Sequence, residues 1–532
     1  MERKVGAFLM LELAKQNLHR NRLKCQTMTQ VTLDEDFIVP DTMSDMSEVI
    51  LDQGVVFLEP VKVQRERISV RGKLEFHVLY RKEEGGLQTL GGSIPFEETI
   101  NVPDLEEKDY VSVSWQLDDL KMEMVHSRKL GIKALITLEA RAETLLDTEA
   151  AVDVEDSEAL SGEAVHLQIR KETVPAATIA VRRKDTYRVK QDITLSGNKP
   201  AIERILWTEM KLSGCQTKPL DGQIHLEGML QIFVLYEGGE SSQVQWIEES
   251  LPFSGEVEMQ GASSELIPVI GLKLVHRDIE EKPDYDGEMR ELSIDAVMEL
   301  DVRLYEEQEL ELLQDLYATN REVTLDTADA VFDRILARNF GKCKVAEKVE
   351  LETDPRILQI CHSSGSIKLD GTEVREQALS VDGVLEVKLL YLTDDDSRPV
   401  QSVVRMVPFH YEIEAPGIGE DSTWYLEPDL EQLTATMAGG GQAELRAVLS
   451  LDLFVLQPEH RQVILRAQVF PLDTEKMKAM PGIVGYLVQQ KDSLWEVAKR
   501  FHTTEESILA TNDLAGGTIK PGDCLILVKE IG

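Results

Sequence analysis

Gly72-Lys73-Leu74-Glu75-Phe76-His77-Val78-Leu79-Tyr80 has two relatives elsewhere in the same chain. They are Gly228-Met229-Leu230-Gln231-Ile232-Phe233-Val234-Leu235-Tyr236 and Gly383-Val384-Leu385-Glu386-Val387-Lys388-Leu389-Leu390-Tyr391, whose closing tyrosines stand 156 and then 155 residues on. A second landmark follows each: Ile94-Pro95-Phe96, Leu251-Pro252-Phe253 and Val407-Pro408-Phe409, with prolines 157 and 156 apart. A leading leucine precedes each, Leu33, Leu195 and Leu351, spaced 162 and 156. Three landmarks that keep nearly one spacing twice over mark a tandem triplication. The period is far too long for a solenoid unit, so each copy reads as a domain.

Within each copy the period is two. Leu74, Phe76, Val78 and Tyr80 share one face of an extended strand, as do Leu230, Ile232, Val234 and Tyr236, and Leu385, Val387, Leu389 and Tyr391. The other face is mixed in copy one (Glu75, His77) but apolar in copy two (Phe233, Leu235), so copy two is expected to cover both faces. Turn residues come next: Lys82-Glu83-Glu84-Gly85-Gly86, Glu237-Gly238-Gly239-Glu240 and Asp394-Asp395-Asp396-Ser397. Each reads as a hairpin. The returning strand is expected to end at the Pro-Phe landmark, or to lie on an edge, because proline has no N–H to donate. Late strands over Ile132–Arg141, Leu292–Leu304 and Ala443–Leu456 close the copies. Asp329 to Leu336 is expected to form a short amphipathic helix between copies two and three. The stretch from Glu143 to Leu160 has many carboxylates and no Lys or Arg. It reads as a solvated linker or an acidic docking segment.

The fold class is therefore mostly β. Three tandem β-rich domains of the sandwich or barrel kind are expected over 1–160, 161–312 and 313–475, with a small βααβ module over 483–530. The 532 residues are 42% hydrophobic, enough for cores. Lys plus Arg number 57 against 96 Asp plus Glu, a net charge of −39, with no basic block to release counterions from a polyanion. Nucleic acid and anionic membrane are poor partners for such a surface. The five cysteines, Cys25, Cys215, Cys343, Cys361 and Cys524, form no C-x-x-C pair and suit free thiols in a reducing compartment. No signal peptide and no membrane span are read.

From Gly485 the character changes. Tyr486 to Val488 opens with a strand, and Asp492-Ser493-Leu494 turns into a helix with Glu496 three residues beyond Ser493, a capping box. A second helix starts at Thr503-Thr504-Glu505-Glu506 and ends near Asn512. Pro521-Gly522-Asp523 turns into the closing strand Cys524–Val528. On the opening Tyr-x-Val, the Asp-Ser-Leu turn, Ala498, Asn512 and the Pro-Gly-Asp, this segment resembles a LysM domain. The family usually has Gly before the Asp, where this chain has Lys491. The resemblance implies a groove between the Lys491–Leu494 turn and the Thr518–Gly522 loop. The candidate partner- or glycan-binding residues are thus Lys491, Asp492, Ser493, Leu494, Trp495, Asn512, Ile519 and Pro521. Trp495 reads either as an aromatic contact platform or as the lid of a small core, with Ile519 as the other candidate anchor.

The triple unit, with its Gly-x-Leu to Leu-Tyr strand and its hydrophobic-Pro-Phe landmark, resembles the SPOCS domain of spore-forming Firmicutes. SPOCS copies ahead of a terminal LysM resemble the SipL-type spore-coat morphogenetic proteins. That resemblance implies a non-enzymatic scaffold in the mother-cell cytoplasm at the forespore surface, whose LysM module docks the coat-basement ATPase. The alternative is a wall-associated protein whose LysM grips peptidoglycan or cortex glycan; self-association of the copies is also compatible. No cofactor, metal or catalytic group is expected. The ten histidines are scattered singly, and the one adjacent pair, Cys361-His362, would point to opposite faces of a strand. Phosphate-loop and H-E-x-x-H patterns are absent.

Overall fold

The computed structural model of the chain describes residues 9–155, 165–239, 243–351, 355–439, 441–472, 481–512, 514 and 518–528. A short strand, β1 (Leu9–Leu11), comes first. Copy one follows as β2 (Leu13–Ile38), β3 (Met46–Leu58), β4 (Lys62–Gln64), β5 (Arg67–Lys82), β6 (Leu87–Asn101), β7 (Tyr110–His126) and β8 (Lys129–Val154). Copy two contains β9 (Leu167–Thr194), β10 (Ile202–Leu220), β11 (Gln223–Gly238), β12 (Gln243–Glu258), β13 (Ile267–Pro283) and β14 (Met289–Ala318). Copy three contains β15 (Arg321–Glu350), β16 (Ile357–Val374), β17 (Ala378–Thr393), β18 (Val400–Glu414), β19 (Thr423–Gly439) and β20 (Gln442–Pro471). The C-terminal module is β21 (Ile483–Leu487), α1 (Leu494–Phe501), α2 (Glu505–Asn512) and β22 (Cys524–Val528).

Each copy is two antiparallel sheets face to face. In copy two these are β10-β11-β12 and β13-β14-β9, and the other copies repeat the pattern. The tyrosine-ended strands β5, β11 and β17 are the centres of the first sheets. Their alternating face packs on the same alternation in the second sheet: Leu74, Phe76, Val78 and Tyr80 meet a core that includes Ile132, Ala134, Ile136 and Leu138. Equivalent cores form in copies two and three. Of the sandwich and the barrel expected from the pattern, the sandwich is the observed one.

Two of the sequence landmarks are one physical contact. Gly72 pairs with Phe96, Gly228 with Phe253 and Gly383 with Phe409 across the ladder. A Cβ on these glycines would lie 2.7, 2.9 and 2.7 Å from the phenylalanine Cζ. The ring lies over the bare glycine, so neither member of the pair tolerates change without the other.

The returning strands are indeed edges, but they do not end at proline. β6, β12 and β18 run on beyond Pro95, Pro252 and Pro408 to Asn101, Glu258 and Glu414. An edge strand leaves one row of N–H groups unpaired, so proline there removes no ladder bond. The helix expected over Asp329–Leu336 is likewise corrected: the segment is the middle of β15, paired with β20. Buried Ala330 and Phe332 alternate toward an interior shared between copies, and that burial overrides the local helical spacing. The acidic stretch from Glu143 also belongs to a strand as far as Val154, with Glu143 itself 1% exposed; residues 156–160 lie outside the described ones. Copy two takes in 313–318 as well, since β14 passes 312 unbroken.

The three copies close around common interiors. Ile50, Leu51, Leu79 and Leu87 from copy one meet Leu206, Trp207, Phe233 and Leu235 from copy two and Cys361, Leu390 and Val400 from copy three. The double-faced burial expected for copy two thus extends to all three, through Leu79, Leu235 and Leu390. A second shared interior joins Leu18 and Ala150, Val174 and Leu312, and Phe332 and Val463. It is built by the unusually long outer strands, up to 30 residues in β14, β15 and β20, where about 5–6 residues is common. In each copy a register shift marks where such a strand leaves its own sandwich for the shared interior: between Leu23 and Cys25, Leu304 and Tyr305, and Ile335 and Ala337. Strand β1 crosses to pair with β20, Leu11 opposite Ala467, which ties the start of copy one to copy three.

Candidate functional site

The C-terminal module is a two-stranded sheet covered on one face by two helices. Leu525 and Leu527 of β22 are buried with Val488, Val497, Ala498 and Ile508. Helix α1 starts as its sequence requires: Ser493 is the N-cap, and its Oγ accepts the Glu496 N–H at 3.2 Å. It ends at His502, whose φ of 50° is left-handed. Asp492 turns back to accept the Gln489 N–H at 2.8 Å and the Tyr486 hydroxyl. The tyrosine hydrogen bond, then the backbone one, hold its carboxyl below the ordinary range. Asn512 fastens the second helix to the closing strand: Nδ2 donates to the carbonyls of Ile508 and Ile526 at 2.8 Å, and Oδ1 accepts the Ile526 N–H at 2.6 Å.

The eight residues singled out from the sequence do not make one surface. Lys491, Ser493 and Pro521 are exposed on the two loops. Asp492 and Asn512 spend their side chains inside the module. Leu494 and Ile519 are half-buried against its core. Trp495 is 6% exposed and faces the second copy. Its indole N–H donates to Asp315 Oδ2 at 2.7 Å, and its ring meets Tyr317 edge-on, centroids 4.9 Å apart. Lys499, one turn on, donates to both Asp315 oxygens at 2.6 and 2.7 Å. Tyr317 donates its hydroxyl to the Thr503 carbonyl at 2.8 Å. Trp495 is therefore neither a free platform nor merely the lid of its own small core, since its partners lie near the end of β14. Beside this seat opens a cleft of about 400 Å³ lined by Ile169, Arg170, Lys171, Ser493, Trp495 and Glu505.

Sequence reasoning missed the most exposed apolar face of the module. The outer side of its sheet carries Ile483 (66% exposed), Leu487 (56%), Ile526 (49%) and Val528 (38%). Ile483 pairs with Val528, and Ile526 stands opposite Gly485, so these side chains share one surface. The signal was present in Cys524-Leu525-Ile526-Leu527-Val528, an unbroken apolar run. A strand in a sheet covered on one face only can bury every second member of such a run.

Elsewhere, Cys361 and His362 point apart, as neighbours on a strand do. The Cys361 thiol donates to the Leu390 carbonyl at 3.2 Å, and burial pushes it up to about 12. The His362 ring is engaged with Glu209 and Glu248 instead. Among the described residues no three His, Cys, Asp or Glu side chains cluster to hold a metal ion. No helix there is long and apolar enough to cross a membrane.

Comparison with known families places names on these units. The family described as SipL, SPOCS domain, matches residues 45–125, 201–280 and 356–438. Each match holds the first sheet of a copy and then one edge strand of the second, as in β3 to β7. The LysM domain family matches residues 486–527. No curated protein matches the chain. SPOCS and LysM families are non-catalytic binding domains, the first tied to sporulation and the second to peptidoglycan. Three SPOCS domains in one closed body, with a LysM module seated on the second, place this chain among the SipL-type proteins.

Proposed function

We propose that the protein is a non-enzymatic scaffold of spore envelope assembly, held at the forespore surface in the mother-cell cytoplasm. In it the LysM module docks a protein partner, the coat-basement ATPase that the family resemblance implies. The observation that carries this reading is the exposed apolar face of Ile483, Leu487, Ile526 and Val528. Contiguous apolar surface on a small module is costly in water and gains from being covered by a protein. The closed triple sandwich supplies a rigid body behind it.

Capture of the ATPase from sporulating cells tests the reading. The chain with Leu487→Asp and Ile526→Asp is expected to lose capture as fully as a chain lacking residues 483–532. Undiminished capture by the double variant, with the module folded by circular dichroism, refutes it.

The second reading is a grip on peptidoglycan or cortex glycan. It is favoured by the LysM match and by the exposure of Lys491, Ser493, Thr518, Lys520 and Pro521 on the two loops that border the family's groove. Sedimentation of the chain with purified peptidoglycan separates the two: glycan binding should survive the apolar-face variants and fall with changes at those loops.

A further inference from the structure

The seat beneath the LysM module is peculiar to the second copy. All three closing strands carry a second register shift at the same place, near their far ends. The residue there is Asp153 in copy one, paired with Ala14. It is Asp315 in copy two, paired with Arg170, and Arg466 in copy three, paired with Asp326. Two positions on stand Glu155, Tyr317 and Gln468. Only copy two offers a carboxylate followed by an aromatic ring. Asp153 is already bound to Lys171 at 2.9 Å. Arg466 would set a cation against Lys499, and like charges at contact repel. The module follows copy three in the chain, yet it sits on copy two.

We propose that Asp315 and Tyr317 form a latch that selects copy two for the module and keeps Trp495 covered. A ligand taken through Trp495 must then displace the latch. The seat includes one carboxylate serving the Trp495 indole and the Lys499 ammonium, the Tyr317 hydroxyl on the Thr503 carbonyl, an edge-on aromatic pair, and the His502 ring 3.5 Å from the Ala318 carbonyl. With its polar part centred on one carboxylate, such a seat gives an equilibrium that a competing ligand or a charge change can move. The module's outer sheet face remains exposed while the latch is closed. The inference goes beyond the docking reading, since it concerns the seat whatever the module binds.

Hydroxyl-radical footprinting of the full chain, read by mass spectrometry residue by residue, tests it. Trp207, 4% exposed, serves as the buried reference and Trp115, 36% exposed, as the open one. In the wild-type chain Trp495 is expected to oxidise at the slow rate of Trp207. Asp315→Lys with Tyr317→Ala should speed Trp495 several-fold and leave Trp207 unchanged. Lys499→Asp, which leaves copy two untouched, should open Trp495 as well. The charge-reversed pair, Asp315→Lys with Lys499→Asp, restores the ion pair but not the indole acceptor, and should oxidise at Trp495 more slowly than Lys499→Asp alone. The latch is overturned if wild-type Trp495 reacts as fast as Trp115, or if the single charge reversals leave it protected. It is equally overturned if the reversed pair oxidises at Trp495 as fast as Lys499→Asp alone, or if Trp207 opens together with Trp495 in the Lys499→Asp chain. Capture assays report docking separately, so loss of either idea leaves the other standing.

Discussion

His362 of the third copy lies flat on Phe233 of the second, with ring centroids 3.8 Å apart and planes 11° from parallel. Its Nε2 is 3.1 Å from Glu209 Oε2, and its Nδ1 is 3.4 Å from Glu248 Oε1, both carboxylates belonging to copy two. Burial disfavours the charged ring, but the hydrogen bonds and charges of the two glutamates outweigh it and raise the pKa above 6.5. Burial also opposes the Glu209 charge, yet Lys211 and His362 overcome it and keep that carboxylate ionised across the neutral range. A raised histidine binds its proton more tightly folded than unfolded. Its contribution is complete below about pH 6.5 and fades as pH climbs through the raised folded value, at about 1.4 kcal/mol per unit of raise. The melting temperature of the wild-type chain should therefore fall as the pH rises above about 6.5, while His362→Gln should flatten that slope. Equal slopes for the two chains would refute the assignment.

Tyr187 stands where copy three has Cys343 and copy one has Val31, opposite Met298, Leu449 and Ile136 in the respective ladders, and its ring covers Gly255 of the edge strand β12. A Cβ at Gly255 would lie 2.0 Å from the tyrosine Oη and 2.3 Å from Cζ, and the hydroxyl is tied to the Ser254 carbonyl at 3.0 Å. Gly255→Ala should therefore cost about 1–3 kcal/mol through overpacking. Adding Tyr187→Cys, the residue copy three uses there, should recover most of that loss. Urea midpoints of the single and double variants check both halves of the expectation.

Glu143 is the buried carboxylate that joins all three copies. It comes from copy one, pairs with Arg182 of copy two, and accepts the Tyr425 hydroxyl of copy three at 3.0 Å and the Asn21 amide at 2.9 Å. Burial works against its charge, but Arg182 and Arg303, the Asn21 bond and Arg141 more than compensate and lower its pKa. Glu143→Ala leaves the Arg182 guanidinium without its counter-charge and should cost about 3–5 kcal/mol. Because the folded pKa is depressed, this contribution holds above about pH 4.3 and is lost as the pH falls further. A denaturation midpoint within error of wild type at neutral pH would show that the three-copy junction does not depend on it.

The thiols should divide sharply in an alkylation experiment. Burial pushes Cys215 and Cys361 up to about 12, and it raises Cys343 as well. Cys524 is exposed on the outer face of the LysM sheet. Since the thiolate is the nucleophile, iodoacetamide near pH 8 should label Cys524 first and leave Cys215 and Cys361 untouched until the chain is unfolded. Early labelling of Cys361, detected by peptide mass spectrometry, would mean that the shared interior opens in the folded state.

Much of the fold was legible because its signals are local. The period of two in Leu74 to Tyr80 dictates an extended strand with one apolar face, and the spacing of Ser493 and Glu496 dictates a helix start. The Asp329–Leu336 segment misled because its spacing suits a short helix when read alone. Only pairing with β20 and burial of Phe332 against Leu312 and Leu18 make it a strand. The candidate site was legible to the same limited degree. Its turn and its caps could be read, but nothing along the chain says whether Trp495 faces in or out, since its partner Asp315 lies far away in sequence. The exposed side of Ile526 and Val528 follows only once the covering helices are counted.

By itself the sequence determined a triplicated β-rich unit and a βααβ tail, because strand alternation, edge prolines and helix caps depend on residues a few positions apart. Tertiary structure alone decided that the three copies close on shared interiors, that β1 crosses to copy three, and that the tail rests on copy two. Those outcomes rest on contacts between residues far apart in the chain, such as Glu143 with Tyr425 and Asp315 with Trp495. Their energies depend on which charges and rings meet once the sandwiches have formed, and no periodicity along the chain encodes that.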